Sequence, residues 1–293
     1  MIIVKIHGGL GNQLFQYAAG RALAESLHMP LKLDNLFFMG SPNRKFILEK
    51  FNISPQFATQ EEINSVKMRD YPFPVQKMIS LFRKVKGANN LYIKEGSRSL
   101  DVDKLGGYDQ IYLKGYWQNE KYFQHIEPVI RSEFTLTSKP DPINQQYLAD
   151  ILFSNSVSVH IRRGDYISDP IVNKKFVVCN LDYYYKAIDL ISERVTNPQF
   201  YIFSDDTEWV SENFHIKHPT VLISHNKNQE HEDLRLMSFC KHHIIANSSF
   251  SWWGAWLCDH KEKIVLAPAK WYKNLTLTKS NKDFIPQSWQ KIA

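Results

Sequence analysis

Short apolar runs alternate with longer segments of helical character along most of the chain. Near the N-terminus, Ile2–Ile6 predicts a strand, Leu14–Leu27 a helix rich in alanine and leucine, and Leu31–Leu33 a second strand. A strand, a helix and a strand in this order are typical of a parallel sheet, because parallel neighbours need a crossover connection. The opening of the chain therefore predicts an α/β fold.

The middle of the chain is less regular. Residues 37–90 contain Pro72, Pro74 and scattered aromatic residues, a pattern that indicates loops and short helices. After them, 111–117 predicts a strand and 120–134 a helix. Two prolines within 138–142 then interrupt regular structure. We place a domain boundary there, which gives the domains 1–140 and 141–293.

The second half alternates strand and helix more regularly. We predict strands at 157–161, 200–203, 243–246 and 263–267, and helices at 181–194, 230–241 and 251–260. Ligands of open parallel sheets bind beyond the carboxyl ends of the strands. Four polar clusters fall at such ends, at 7–13, 160–165, 204–206 and 247–249. Their convergence predicts a ligand site.

Composition and charge narrow the class of protein. The 293 residues are 43% hydrophobic, which is too apolar for a disordered chain. The net charge of +6 is spread without a block of five like charges, so the stripe that a nucleic-acid binder needs is missing. The charge suits an anionic ligand pocket, and it leaves open loose contact with an anionic membrane. No apolar run is long enough to span a bilayer.

Cysteine and acid patterns argue against a metal cofactor. The cysteines Cys179, Cys240 and Cys258 form no Cys-x-x-Cys pair, and an odd, dispersed set fits a reducing cytoplasm. The triplet Asp101-Val-Asp103 matches the Asp-x-Asp of metal-dependent sugar transferases, but it does not follow an obvious strand. We therefore predict no metal and no resident cofactor.

The glycine-rich segment Gly8–Gln13 allows a ligand to approach the backbone at the start of a helix. It lacks the lysine of a phosphate-binding P-loop, and the dinucleotide fingerprint begun by its glycines fails at Leu14. Asp34, at the end of the second strand, nevertheless lies where a ribose-binding acid would be. Three interpretations stay open: a dinucleotide loop, a purely structural turn, and another ligand loop in which Asn12 and Gln13 offer their amides.

Two adjacent arginines follow the strand at 157–161. If Val159 and Ile161 face the core, His160 and Arg162 share the opposite face. Arginines at a strand end need an anion or a carboxylate, and the planar guanidinium suits a pair of phosphate oxygens. The alternative is an internal ion pair, which we expect above all for Arg163, with Asp165 or another acid.

The remaining clusters have a similar ambiguity. Serine at 248–249 caps a helix whose first N–H groups can bind an anion, whereas Trp252, Trp253 and Trp256 follow packing stripes. The carboxylates of Glu232-Asp233 either accept from a guanine edge or belong to a solvated helix face. For Ser204-Asp-Asp206, ordinary turn chemistry is the first interpretation.

Together, these motifs resemble a known family. The segments that carry the resemblance are Gly8-Gly-Leu-Gly-Asn-Gln-Leu-Phe-Gln-Tyr17, His160-Ile-Arg-Arg-Gly-Asp-Tyr166, Phe203-Ser-Asp-Asp206 and Asn247-Ser-Ser-Phe-Ser-Trp-Trp-Gly-Ala255. They are similar, in order, to motifs of the bacterial α-1,2-fucosyltransferases of glycosyltransferase family 11. The resemblance implies a GT-B-like pair of Rossmann-type domains with parallel sheets facing a cleft. The second domain would bind the nucleotide, and the first would lie on the acceptor side.

The resemblance also implies an activity. It predicts metal-independent, inverting transfer of L-fucose from GDP-fucose to the 2-hydroxyl of a terminal β-galactoside. Residue by residue, it implies donor contacts from the following positions: Gly11, Asn12, His160, Arg162, Asp233, Ser248, Ser249 and Phe250. It assigns catalysis to Arg162, Asp165 and Asn12, with Asp169 as the rival of Asp165 for the general base.

Two other functions stay open on the sequence alone. The partial glycine fingerprint and Asp34 allow an NAD(P)-dependent oxidoreductase, and a decayed transferase fold would leave a non-catalytic glycan- or nucleotide-binding protein. The expected location is the cytoplasm, with peripheral attachment to the inner membrane as an open alternative. No feature of the sequence predicts the oligomeric state or identifies the acceptor glycan.

Overall fold

A computed structural model of the chain describes residues 1–41, 44–67, 89–97, 100–274 and 283–293. The chain divides into two compact units, Met1–Thr137 and Ser138–Ala293. Each unit is built on its own parallel sheet, so the predicted α/β class is confirmed. Pro72 and Pro74, predicted to lie in loops or short helices, fall outside the described residues.

The N-terminal unit contains a four-stranded parallel sheet in the order β2-β1-β4-β3. Its strands are β1 (Ile2–Lys5), β2 (Leu31–Asp34), β3 (Asn90–Lys94) and β4 (Gln110–Lys114). The prediction missed β3, which follows the irregular stretch and forms an edge of the sheet. Only Ile93 of this strand is buried, so it lacks the apolar run that marks the central strands.

The helices of this unit are short after the first one. They are α1 (Leu10–Ser26), α2 (Gln60–Val66) and α3 (Glu127–Glu133), with 3₁₀ turns at Leu36–Gly40, Leu48–Lys50, Val102–Lys104, Glu120–Tyr122 and Gln124–Ile126. The single helix predicted over 120–134 is therefore wrong. A helix that began at residue 120 would need an N–H from residue 128, and Pro128 has none. In the structure, Pro128 instead lies in the first turn of α3, where the backbone N–H groups have no partner within the helix.

Helix α1 begins at Leu10 and not at Leu14, so part of the predicted glycine loop is already helical. Gly9 occupies the N-cap in an extended conformation, and Gly11 lies in the first turn. Gly20 faces β1 so closely that a Cβ there would overlap the side chain of Val4. The helix can lie this near the sheet because residue 20 has no side chain.

The C-terminal unit contains a six-stranded parallel sheet in the order β10-β9-β8-β5-β6-β7. Its strands are β5 (Asn155–Ile161), β6 (Pro198–Ser204), β7 (Thr220–Ile223), β8 (His242–Ile244), β9 (Val265–Pro268) and β10 (Gln290–Ile292). Strand β5 lies inside the sheet and is buried on both faces after its first residue. The two edge strands, β7 and β10, were not predicted.

Helices cover both faces of this sheet. They are α4 (Pro142–Phe153), α5 (Gly164–Ser168), α6 (Pro170–Lys175), α7 (Leu181–Ser192), α8 (Thr207–Asn213), α9 (Glu230–Phe239) and α10 (Ser249–Leu257). Val157, Val159 and Ile161 pack in a core that includes α7, while Tyr201 and Phe203 pack on the other face in a core that includes α4 and α9. No helix within the described residues combines the length and apolar composition needed to cross a bilayer.

Candidate functional site

Three of the predicted polar clusters follow the carboxyl ends of neighbouring strands, along one edge of the C-terminal sheet. Strand β5 pairs with β6 through Ile161 and Ser204, and with β8 through Val159 and Ile244. The carboxyl end of β5 is thus flanked by the segments that follow β6 and β8. Arg162 consequently emerges between the acids of 204–206 and the serine turn of 247–249, as the strand-end rule predicts.

Two carboxylates orient Arg162. Its Nη2 donates to Oδ1 of Asp165 at 2.6 Å, and its Nη1 lies 3.1 Å from Oδ2 of Asp205. Burial disfavours the charge on Arg162, but Asp205 and Asp165 outweigh that effect, and its pKa is raised above its usual value. A guanidinium has five N–H donors, so these two contacts do not exhaust it. Arg162 is a fixed cation at the strand end.

Arg163 forms the internal ion pair that the sequence led us to expect for it. Its Nε donates to Oδ2 of Asp206 at 3.0 Å, and the guanidinium carbon lies 3.5 Å from the centroid of the Trp209 ring. Asp165, the first acid considered as its partner, instead pairs with Arg162. Arg163 therefore ties the end of β5 to α8, and Arg162 is the arginine held at the sheet edge.

Close approach of the chain at Gly164 allows Asp205 to reach both arginines. Oδ1 of Asp205 accepts the backbone N–H of Arg163 at 2.9 Å, while its Oδ2 faces Arg162. A Cβ at Gly164 would overlap Oδ2 of Asp205. The glycine of the Arg-Arg-Gly-Asp motif thus leaves room for a carboxylate that directly follows the neighbouring strand, β6.

His160 lies on the face of β5 opposite to Val159 and Ile161, as predicted. Only 3% of its surface is exposed, and its ring centroid lies 5.6 Å from that of Phe250. Burial and, to a smaller degree, the charge of Arg162 lower the pKa of His160 to about 3, so the imidazole is neutral. Its Nδ1 has no hydrogen-bond partner among the described residues. His160 can offer a ligand a hydrogen bond but not a positive charge.

The serine turn caps helix α10. Ser248 occupies the N-cap, and its Oγ accepts the N–H of Phe250 at 3.3 Å. Ser249 is the first residue of the helix, so the first backbone N–H groups point to the same sheet edge as Arg162. Trp252 and Trp253 are fully buried, which confirms that they serve packing.

Tyr166 and Asn247 connect the arginine to this turn, a link that the sequence did not predict. The guanidinium carbon of Arg162 lies 5.6 Å from the Tyr166 ring centroid, and the Tyr166 hydroxyl donates to the backbone oxygen of Asn247 at 2.8 Å. Asn247 in turn donates through Nδ2 to the backbone oxygen of Trp271 at 3.0 Å. Both residues lie in motifs that carry the family resemblance, but the sequence indicated a role for neither.

Asp233, the predicted guanine acceptor, lies in the N-terminal half of α9. Its Oδ1 accepts from Nδ2 of Asn226 at 2.9 Å. Burial raises the pKa of Asp233 to about 7, although the hydrogen bond from Asn226 acts in the opposite direction. The carboxylate is therefore part of a half-buried polar network and not of a solvated helix face.

In the N-terminal unit, Asn12 lies in the first turn of α1, and its Oδ1 accepts from Nε2 of Gln118 at 2.8 Å. Gln13 is fully buried and makes internal contacts: its Nε2 donates to the backbone oxygens of Gly8 and Lys45, at 3.1 and 2.8 Å. Its Oε1 accepts the N–H of Ile47 at 3.0 Å. The expectation that Gln13 offers its amide to a ligand is wrong, because this amide holds the following loop to α1.

Asp34 does not provide a ribose-binding acid. Only 1% of it is exposed, and its Oδ2 accepts from the Tyr112 hydroxyl and from Nζ of Lys67. Its Oδ1 accepts the N–H of Leu36 at 3.1 Å. The carboxylate on which the dinucleotide interpretation depended is thus buried and bonded to groups of the N-terminal unit itself.

One acid of the Asp101-Val-Asp103 triplet forms an ion pair of its own. Asp101 forms an ion pair with Lys104 at 2.5 Å. Among the residues that the structure describes, no group of three or more His, Cys, Asp or Glu side chains could hold a metal ion.

Two α/β units, each built on its own parallel sheet, give the GT-B-like architecture. The chain belongs to glycosyl transferase family 11, whose profile matches residues 1–293. The family indicated by the sequence motifs is therefore confirmed.

Three relatives show the range of the family. The chain is 35% identical to an Escherichia coli alpha-1,2-colitosyltransferase, over 100% of this chain and 99% of the relative. It is 33% identical to the E. coli O-antigen biosynthesis glycosyltransferase WbnK, over 95% and 97% of the two chains. The mouse galactoside 2-alpha-L-fucosyltransferase Sec1 is 25% identical over 88% of this chain and 64% of the mouse protein.

Solved structures of two fucosyltransferases share the fold. POFUT1 in complex with GDP-fucose superimposes with a TM-score of 0.55 and 14% identity, over 90% of this chain and 97% of that one. Bradyrhizobium NodZ superimposes with a TM-score of 0.52 and 12% identity, over 86% and 91%. At these identities the likeness shows the fold alone.

Proposed function

We propose that the protein is an inverting α-1,2-fucosyltransferase, which moves L-fucose from GDP-fucose to the 2-hydroxyl of a terminal β-galactoside. The observation that supports this most strongly is the position of Arg162. It is oriented by Asp165 and Asp205 at the sheet edge where helix α10 begins. A guanidinium and helix N–H groups at one edge suit a diphosphate.

In this proposal, the donor diphosphate is stabilised without a metal ion. As the bond from fucose C1 to the β-phosphate breaks, negative charge grows on the departing oxygen. Arg162 and the first N–H groups of α10 meet that charge, and because Arg162 is already fixed, little reorganisation is needed during the reaction. Neutral His160 contributes a hydrogen bond, and Phe250 packs beside it.

The acceptor hydroxyl must lose its proton as it attacks fucose C1 from the face opposite to the leaving GDP. We assign Asp165 as the general base, because it is the carboxylate next to Arg162 in the same motif. Its rival, Asp169, caps α6 by accepting the N–H groups of Ile171 and Val172 at its Oδ1. That structural task makes Asp169 the weaker candidate. The donor contacts implied for Gly11 and Asn12 stay predictions.

A second donor is favoured by one comparison. The full-length match to an alpha-1,2-colitosyltransferase suggests GDP-colitose, since colitose is fucose without its 3-hydroxyl. Both sugars leave from the same nucleotide, so the arrangement around Arg162 serves either donor. The two proposals differ only in whether the protein binds that hydroxyl.

A donor and acceptor panel tests the proposal. Purified protein is incubated with labelled GDP-fucose or GDP-colitose, together with lactose and other β-galactosides, and the product linkage is determined. We expect transfer from GDP-fucose with an α-1,2 linkage to galactose. Preference for GDP-colitose would identify colitose, and not fucose, as the sugar that is transferred. GDP binding without transfer to any acceptor would favour a non-catalytic binding protein.

We also propose that the reaction takes place in the cytoplasm, with peripheral attachment to the inner membrane as the alternative. Cys179 and Cys240 form no disulfide, and thiols outside disulfides suit a reducing compartment. Fractionation of cells into cytosol and membrane, with and without a high-salt wash, separates the two locations.

A further inference from the structure

We propose that Asn226, locked in place by Asn144, is a positioning residue that aims the carboxylate of Asp233 at the Watson–Crick edge of guanine. Asn226 and Asn144 would thereby determine the nucleotide specificity of the donor site. This inference rests on the proposed function, because it assumes that the donor carries guanine.

Three elements bring these side chains together. Asn144 lies in the first turn of α4, Asn226 lies in the loop between β7 and α9, and Asp233 lies in α9. Asn144 is fully buried, and Asn226 is 7% exposed. Buried amides need hydrogen-bond partners, and a fully satisfied network gives one well-defined arrangement.

The two amides bind each other reciprocally. Nδ2 of Asn144 donates to Oδ1 of Asn226 at 2.9 Å, and Nδ2 of Asn226 donates to Oδ1 of Asn144 at 3.0 Å. The same Nδ2 of Asn226 also donates to Oδ1 of Asp233 at 2.9 Å. Both hydrogens of the Asn226 amide group are thus used, one on the partner amide and one on the carboxylate.

These contacts determine which way the Asn226 amide faces. A flipped amide would place its oxygen against the Asp233 carboxylate, where two acceptors repel each other. Asn144 must then present its oxygen to Asn226, and the same oxygen lies 3.0 Å from Nε2 of His225. Since that oxygen can only accept, Nε2 of His225 carries the proton. The hydrogen bonds of this network therefore have one orientation, in which Asn226 donates to Asp233.

Asp233 keeps acceptor sites for a ligand. A carboxylate has about four lone-pair sites, and Asn226 fills one of them, on Oδ1. No described residue donates to Oδ2 in the structure. Guanine offers two adjacent donors, its N1–H and its 2-amino group, whereas the corresponding edge of adenine has an acceptor at N1. A carboxylate held with one side engaged and the other available therefore matches guanine.

Asn226 also influences the charge of this group. Burial favours the neutral acid, and Glu230 and Glu232 add to that effect, while the hydrogen bond from Asn226 favours the carboxylate. Guanine needs the charged, acceptor-only form. The titratable groups in or next to the network are Asp141, His225, Glu230 and Glu232. Asn226 therefore orients Asp233 and favours its charged form against the effect of burial.

The experiment measures nucleotide affinity by calorimetry on the full chain, so that it does not depend on sugar transfer. The probes are GDP, IDP, which lacks the 2-amino group, and XDP, which has a carbonyl oxygen there. For wild type, we expect GDP to bind ~10–100-fold more tightly than IDP, the range that one hydrogen bond to a charged group gives. In Asn226→Leu this ratio should fall towards one, and the pH midpoint of GDP binding should move upward.

A merely structural role for Asn226 gives a different result. GDP and IDP would then weaken together, with their ratio and the pH midpoint unchanged, and this outcome overturns the proposal. Ile151→Val serves as the matched control, because it trims the core under α4 without touching the network. It should leave the GDP-to-IDP ratio at the wild-type value. Asn144→Ala should lower the ratio less than Asn226→Leu does.

The variant Asp233→Asn tests whether Asp233 recognises guanine. An amide in this place offers an N–H to the 2-carbonyl of xanthine, so the preference for GDP over XDP should shift towards XDP. An unchanged preference would contradict the assignment of Asp233. If wild-type protein binds GDP but transfers no sugar, the proposed function fails while this inference stands. If it binds no guanine nucleotide, both fail.

Discussion

The guanidinium of Arg162 donates to the carboxylate of Asp165 at 2.6 Å, so the two residues with separate proposed catalytic roles form one ion pair. Asp205 completes the group on the other side of Arg162. A cation held between two carboxylates is oriented before a ligand arrives. The arrangement therefore links the group that would accept the hydroxyl proton to the group that would stabilise the leaving phosphate.

Replacing Arg162 by alanine should slow transfer strongly. Removal of one preorganised donor to a developing oxyanion typically lowers kcat by ~10²–10³, and we expect this range for Arg162→Ala. Arg162→Lys should recover little, because an ammonium cannot reproduce the planar fork that faces Asp165 and Asp205. Steady-state kinetics, with circular dichroism to verify folding, measure this. Near-normal turnover of well-folded Arg162→Ala would contradict the role.

Asp165→Asn separates catalysis from loop positioning. Loss of a general base lowers the rate by ~10²–10⁴, while GDP should still bind with nearly wild-type affinity. Asp206→Asn is the matched control, because Asp206 pairs with Arg163 and has no proposed role in catalysis. If Asp165→Asn abolishes GDP binding as well, the residue serves to hold Arg162 and is not the base.

Gly164→Ala should impair the site through Asp205. The added Cβ would overlap Oδ2 of Asp205, which must then release Arg162 or the N–H of Arg163. We expect weaker GDP binding and a loss of about 1–3 kcal/mol of stability, as is typical of overpacking. Gly106→Ala is the control, because no atom lies within 4 Å of its Cβ position. Equal effects of the two substitutions on GDP affinity would contradict this account.

Stability should fall when the pH drops below about 6.5. The pKa of His160 is lowered to about 3 and that of His242 to about 4, both mainly by burial, and burial also lowers the pKa of His243. Because the unfolded chain binds these protons near pH 6.5, the contribution of each group to stability is complete above that pH and is lost below it. At pH 5, His160 is protonated in the unfolded chain and neutral in the folded one, which lowers the free energy of unfolding by roughly 2 kcal/mol.

Asp233 acts in the opposite sense. Its folded pKa of about 7 lies above the unfolded value, so its contribution favours the folded state at low pH and is lost as the pH rises towards 7. Chemical denaturation of wild type and Asp233→Asn between pH 5 and pH 8 separates the two effects. The variant should show the steeper loss of stability towards acid pH. A shallower loss in the variant would contradict these assignments.

Removal of metal ions should leave the reaction intact. The proposal gives charge stabilisation to Arg162 and to the start of α10, with no step that needs a divalent cation. Turnover in EDTA should therefore equal turnover with added Mg²⁺ or Mn²⁺. A strict requirement for either ion would show that another group meets the phosphate charge.

The sequence predicted that the polar clusters converge, but it did not predict which side chains contact one another. Motifs such as His160–Tyr166 follow apolar strands, and parallel strands carry their ends to one edge, so their convergence follows from a general rule. The partner of Arg162 depends on strand order. Asp205 reaches Arg162 only because β6 lies next to β5, and no spacing in the sequence reveals that.

The polar network around Asp233 has the same origin. Asn144 lies 82 residues before Asn226 and shares no motif with Asn226 or Asp233, so only the packing of α4 against α9 brings it to the other two. Local interpretation also failed at α1. Gly9 serves as the N-cap there, and the helix begins inside a segment whose glycines indicated a loop.

The most direct test of the account compares the binding of GDP and GMP to wild type and to Arg162→Ala. If Arg162 and the N–H groups behind Ser248 hold the diphosphate, wild type should bind GDP at least ~10-fold more tightly than GMP, as one charged hydrogen bond implies. In Arg162→Ala most of that preference should disappear. A GDP-to-GMP affinity ratio that is the same in both proteins would contradict the account.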